Sequence, residues 1–89
     1  MKAVITVIGK DNVGIIAKVS AQCSKYGVNI VDISQTVLQN YFAMIMLVDL
    51  NNLDIGFIPF ADKLSELGIE NNLKIHVMHE DIFNSMHKI

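Results

Sequence analysis

Within its first thirty residues the sequence changes period twice, and two glycine-marked turns fix where the changes fall. Residues 2 to 8 are rich in valine and isoleucine and read as a strand buried on both faces, which stops at Gly9. After the polar Lys10 and Asp11, Asn12 is a good N-cap, with Val13, Gly14 and Ile15 in the first turn of an amphipathic helix. That helix runs to about Tyr26, and Gly27 ends it as the glycine just past a helix terminus. From Asn29 the spacing becomes period two. The turn before the helix therefore presents unpaired backbone N–H groups and the positive end of a helix dipole. A small carboxylate or phosphate can be held there without a basic side chain.

The remaining residues continue the alternation. From Asn29 to Leu38, Val31, Ile33 and Val37 are expected on one side and Asp32, Ser34 and Thr36 on the other, the pattern of an edge strand with a wet face. Gln39-Asn40 makes a two-residue hairpin break, and Tyr41 to Leu50 is apolar on both faces, hence central. After a loop, a second helix starts near Gly56 with Pro59 in its first turn. Phe60, Leu64 and Leu67 form its apolar stripe and Gly68 closes it. Leu73 to Met78 is a fourth strand. Residues from Glu80 to about 88 form a short C-terminal helix whose Ile82, Phe83 and Met86 are expected to pack back on the body. The order is βαββαβ plus a tail helix. It predicts an α+β ferredoxin-like antiparallel sheet, two helices on one face, strands one and three central and strands two and four at the edges.

Composition narrows the function. Eighty-nine residues make one domain, small enough that oligomerisation is the usual source of extra stability. A hydrophobic content of 52% is high for that size, yet the apolar run Tyr41 to Val48 is far shorter than the ~20 residues of a membrane span. Excess apolar surface without a span points to a subunit interface. No secretory signal is visible, so a cytoplasmic address is expected, with no membrane partner.

Nine acidic residues stand against seven lysines, and there is no arginine, which argues against nucleic-acid binding. A copper-chaperone-like domain needs two thiolates in the first loop, and this one has none. An acylphosphatase-like enzyme needs an arginine to hold a phosphoryl group in a two-pronged grip. An RNA-recognition domain needs basic residues beside exposed aromatics on its central strands, and Ala43-Met44-Ile45-Met46 is plain hydrophobe. Cys23 falls on the apolar stripe of the first helix as a buried thiol. His76 and His79 differ by three and so point to opposite faces of a strand, while His87 lies in the tail, leaving no metal-ligand cluster. No serine has a neighbouring histidine and acid in a nucleophile arrangement. Neither catalysis nor a cofactor is expected.

Asp11-Asn12-Val13-Gly14-Ile15 followed by Gly27-Val28-Asn29-Ile30 resembles the signature of ACT domains, amino-acid-sensing βαββαβ modules. The resemblance covers residues 2 to 78, the core of a single domain spanning 1–89. Asp32-Ile33-Ser34-Gln35-Thr36-Val37-Leu38 and the tail His79-Glu80-Asp81-Ile82-Phe83 are similar to small stand-alone ACT proteins of bacteria and archaea. Those in turn resemble the ACT portions of glycine-cleavage regulators and formyltetrahydrofolate deformylases.

The resemblance implies that Gly14 lets backbone approach a ligand and that Asn29 contacts it, usually across a dimer interface. Val13 stands where proline is frequent. Gly9 and Asp11 stand where some serine-binding members carry histidine and asparagine.

The residues permit a plainer assignment too: Asn12 as a cap, Gly14 for close helix packing, Asn29 for a tolerant turn. Two functions are therefore carried forward. One is a homodimeric sensor of a small amino acid or related carboxylate, with Asp11, Asn12, Val13, Gly14, Ile15 and Asn29 at its site and a regulated protein partner. The other is an assembly or adaptor domain without a small ligand.

Overall fold

The computed structural model describes residues 1–10 and 14–86. It contains β1 (Lys2–Gly9), α1 (Ile15–Lys25), β2 (Asn29–Leu38), β3 (Tyr41–Asp49), α2 (Phe57–Glu70), β4 (Lys74–His79) and α3 (Glu80–Met86). The four strands form one antiparallel-paired sheet in the order β2-β3-β1-β4. The two most apolar strands occupy the centre, as the sequence predicts.

Register explains the core. Ala3, Ile5 and Val7 of β1 pair with Val48, Met46 and Met44 of β3, and all six are buried. Paired residues share a face of the sheet. On that face α1 contributes Ile15, Val19 and Cys23, and α2 contributes Phe60 and Leu64. Tyr26 meets Phe60 edge to face at 6.3 Å between ring centroids.

Both long helices end in the same six-residue closure. In α1 the Val28 N–H donates to the Cys23 carbonyl at 2.8 Å and Gly27, at φ 79°, donates to Ser24. A side chain at Gly27 would collide with the Asn52 carbonyl oxygen, so glycine is required there twice over. In α2 the Leu73 N–H donates to the Gly68 carbonyl at 2.8 Å, and the left-handed residue is Asn72, at φ 57°.

That geometry corrects the expectation for Gly68. It lies inside α2, which ends two residues later, and its missing side chain serves packing: a Cβ would stand 2.7 Å from the Leu73 carbonyl oxygen. Asparagine tolerates the left-handed conformation by itself, so the true stop carried no glycine.

Three further expectations are corrected. Strand β2 has a bulge between Ile30 and Asp32 that takes Val31 out of pairing; Ile30 and Ile33 pair with the core-facing Val48 and Met46, while Val31 is exposed. Strands β1 and β3 are central in hydrogen bonding but not covered on both sides, because α1 and α2 lie over one face only; Ile8, Tyr41 and Ile45 remain exposed on the other. Of the three apolar tail residues named, Phe83 is half-buried, whereas Ile82 and Met86 stay exposed. Helix α3 touches β1 and β4 and neither other helix. Val4, on the face turned away from α1 and α2, is only 4% exposed, and α3 is the element placed to cover it.

Candidate functional site

Helix α1 begins later than its sequence suggests. Ile15 is its first residue and Gly14, at φ 72°, occupies the N-cap position with no capping side chain. The expectation of Gly14 within the first turn is therefore corrected: a left-handed residue cannot belong to a right-handed turn. Asp11, Asn12 and Val13 lie outside the described residues, as does His87. The Gly14 carbonyl accepts from the Lys18 N–H at 3.0 Å, closing the first turn, and the Ile15 side chain is buried in the core.

Among the described residues, a Cβ at Gly14 would meet nothing nearer than Lys18 Cε at 3.9 Å. Gly9 differs, since a side chain on it would strike the Leu73 side chain. Gly9 thus stands close against the α2–β4 turn.

Lys18 is the residue that the sequence reading missed. Its Nζ donates to Asn71 Oδ1 at 2.7 Å, and Asn71 Nδ2 donates to the Leu67 carbonyl at 2.8 Å, which ties an exposed cation beside Gly14 to the end of α2. The spacing of four from Gly14 places Lys18 one helical turn further along the same side, a signal available in the sequence.

Asn29 is elsewhere. It opens β2 and pairs with Asp49, which pairs in turn with Lys2 at the start of β1, while Gly9 pairs with Phe42 at the other end of β3. The two ends, Phe42 and Asp49, are seven residue steps apart on β3, about 23 Å at the usual strand rise. Gly14 follows Gly9 by five residues and Asn29 sits at the opposite end of the sheet, so one chain does not bring them together. The Asn29 side chain is exposed and has no hydrogen-bond partner among the described residues.

His76 pairs with Thr6 on the open side; His79 pairs with Ala3 on the core side and stacks on Phe57 at 4.1 Å between centroids, so the two histidines do face apart. No three His, Cys, Asp or Glu side chains come together among the described residues. Cys23 is fully buried and burial pushes its thiol up from 9.0 to about 11, which leaves it protonated and unreactive at neutral pH. Two shallow hollows are lined by described residues, one of about 150 Å³ by Lys2, His79 and Asp81 and one of about 250 Å³ by Ser65, Leu73, Lys74 and His76.

Comparison with known proteins places this geometry. The family model for the ACT domain matches residues 2–78. A UPF0237 protein of Clostridium perfringens is 51% identical over the full length of both chains. Among solved structures, an ACT domain protein from Streptococcus pneumoniae superposes with a TM-score of 0.82 at 42% identity, covering 93% of each chain. A putative glycine cleavage system transcriptional repressor matches at 26% identity and a TM-score of 0.68, over 85% of this chain and 43% of that one. A formyltetrahydrofolate deformylase from Pseudomonas syringae has the same fold, with a TM-score of 0.78 at 20% identity over 88% of this chain and 27% of that one.

Proposed function

The chain belongs to the ACT domain family, and from that premise we propose that it is a regulatory module sensing a small amino acid or related carboxylate at the interface of a homodimer. One observation carries the reading: Gly14 and Asn29, the two residues the family pattern assigns to a ligand, stand at opposite ends of the sheet. They can meet only between copies. Strand β2 is an edge strand, and two β2 edges running antiparallel set the start of one beside the end of the other. The end of β2 lies at the Gly9 end of the sheet, because Val37 pairs with Phe42 and Phe42 with Gly9. An antiparallel edge-to-edge dimer thus carries Asn29 of each copy toward the first loop of the other.

In this arrangement the ligand carboxylate lies on the open N-terminus of α1, with Gly14 leaving room and the N–H groups from Asn12 to Ile15 donating. Asp11 attracts the ammonium group, the partner's Asn29 amide bridges across, and Lys18 adds a cation at the rim. Ligand binding then changes how tightly the copies associate, and through that their hold on a regulated protein partner in the cytoplasm. No described helix is long and apolar enough to cross a membrane.

A thermal-shift screen against the twenty amino acids tests the reading. A ligand at one hundred times its dissociation constant adds about 2.7 kcal/mol of stability. No shift with any amino acid at millimolar concentration, together with a sharply lower melting temperature for Asn29→Ala, would assign these residues to structure and leave the adaptor function standing.

A further inference from the structure

We propose that two copies pair their β2 edges in one register, with Ser34 of each on the two-fold axis, so that Asp32 lies opposite the partner's Thr36. This rests on the edge-to-edge dimer proposed above and not on its ligand. Backbone geometry sets the groups that face outward. Gln39 and Asn40 form a two-residue turn that makes Leu38 and Tyr41 a bonded pair. Alternation down the ladder then turns the N–H and C=O groups of Ile33, Gln35 and Val37 away from β3. In keeping with that, the Ile33 N–H donates to Asp32 Oδ1 at 2.9 Å, which screens this stretch of edge in a lone chain. A two-fold axis that joins antiparallel edges stands perpendicular to the sheet and carries each face onto the same face. Directly opposite residues share a face, so the axis passes through a residue of β2 and not between two.

Side chains select that residue. Asp32 is the only charge between Asn29 and Leu38, and an axis through it sets two carboxylates face to face. An axis at Ile33 puts Val31 opposite Gln35, and one at Gln35 puts Asp32 opposite Leu38. With Ser34 on the axis, Val31-Asp32-Ile33-Ser34-Gln35-Thr36-Val37 meets its own reverse. The exposed Val31 and Val37 come together, and Asp32 meets a hydroxyl that donates to it. On pairing, the Ile33 N–H passes from Asp32 to the carbonyl of the partner's Gln35, which frees the carboxylate for the partner's Thr36. The match is of this strand with itself, which selects a second copy over a foreign strand. The same register serves the candidate site. Ser34 pairs with Ile45 and Asn29 with Asp49, four steps along β3; four steps the other way is Tyr41, paired with Leu38. That level adjoins the row of Val37, Phe42 and Gly9, from which the first loop departs. Asn29 of each copy thus arrives level with the start of the other's first loop, a placement independent of the side chains that fix the axis.

The test is disulfide formation under mild oxidation, read as doubled mass on non-reducing gels, in full chains that carry one new cysteine each. The native chain, whose Cys23 is buried, sets the background. In this register Ser34 faces its own copy as a non-bonded pair with Cα atoms about 4.5 Å apart, inside the span of about 4.4–6.8 Å that a disulfide bridges. Asp32 and Thr36 lie about 13 Å apart along the strand. Ser34→Cys is therefore expected to bridge to itself, and Asp32→Cys and Thr36→Cys to bridge only when mixed with each other. Self-bridging of Asp32→Cys or Thr36→Cys to the extent of Ser34→Cys, or in its place, would overturn the register and keep the edge-to-edge dimer. A dimer by sedimentation in which none of the three bridges, or a folded native monomer at micromolar concentration, would overturn both. Bridging at Ser34 in a protein that no amino acid stabilises keeps the register and removes the ligand alone.

Discussion

Glycine separates into two kinds in this chain. Gly14 and Gly27 share a positive φ, but among the described residues only Gly27 has a neighbour, the Asn52 carbonyl, in the space its side chain would fill. Gly27→Ala therefore incurs the left-handed backbone cost of about 1–3 kcal/mol together with a collision, and a melting temperature lower by roughly 10 °C or more is expected. Gly14→Ala incurs the backbone cost without the collision and melts closer to the native protein. Thermal denaturation of the two variants side by side checks the difference.

Cys23 gives a pH dependence of known sign. Its folded value of about 11 lies above 9.0, so the folded state holds the thiol proton more tightly than the unfolded chain. The associated stability is complete below about pH 9 and is lost as the pH rises toward 11. Unfolding free energies measured across that window should fall with pH, and the fall should shrink in Cys23→Ala. A thiol reagent at neutral pH should label the native protein only after denaturant is added.

At the scale of elements, the alternation of periods was enough to place all four strands and both long helices, because each buries an apolar face that writes its spacing into the residues. Local irregularities were illegible for physical reasons. The bulge at Val31 is a single extra residue in a β-branched run and changes no residue type. The end of α2 is held by Asn72 and the Leu73 N–H rather than by the glycine the pattern favours.

The tail helix misled for another reason. Its apolar residues at 82, 83 and 86 look like one inward stripe, yet among the described elements α3 meets β1 and β4, and of the three it is Phe83 that is half-buried. Phe83→Ala is accordingly expected to cost about 1–2 kcal/mol in denaturant unfolding, and Ile82→Ala no more than about 0.5 kcal/mol. Equal costs would mean that α3 packs by its other side.

For the whole molecule, the residues of the candidate site were legible individually but their relation was not. Gly14 and Asn29 are read from a motif fifteen residues apart, and only the register shows them at opposite ends of the sheet. Lys18 escaped because a lysine on an exposed helix face looks like ordinary solubility until Asn71 is seen to hold it. The functional account therefore depends on two copies sharing each site, and mixing variants tests that directly. Chains carrying Gly14→Trp and chains carrying Asn29→Ala are each expected to lose binding of the amino acid that stabilises the native protein most. In a mixed dimer one site carries both changes and the other carries neither. Refolding the two variants together at equal amounts and titrating by calorimetry should therefore recover native affinity in about a quarter of the sites. Recovery of none, with both variants folded and dimeric, would contradict a site built across the interface.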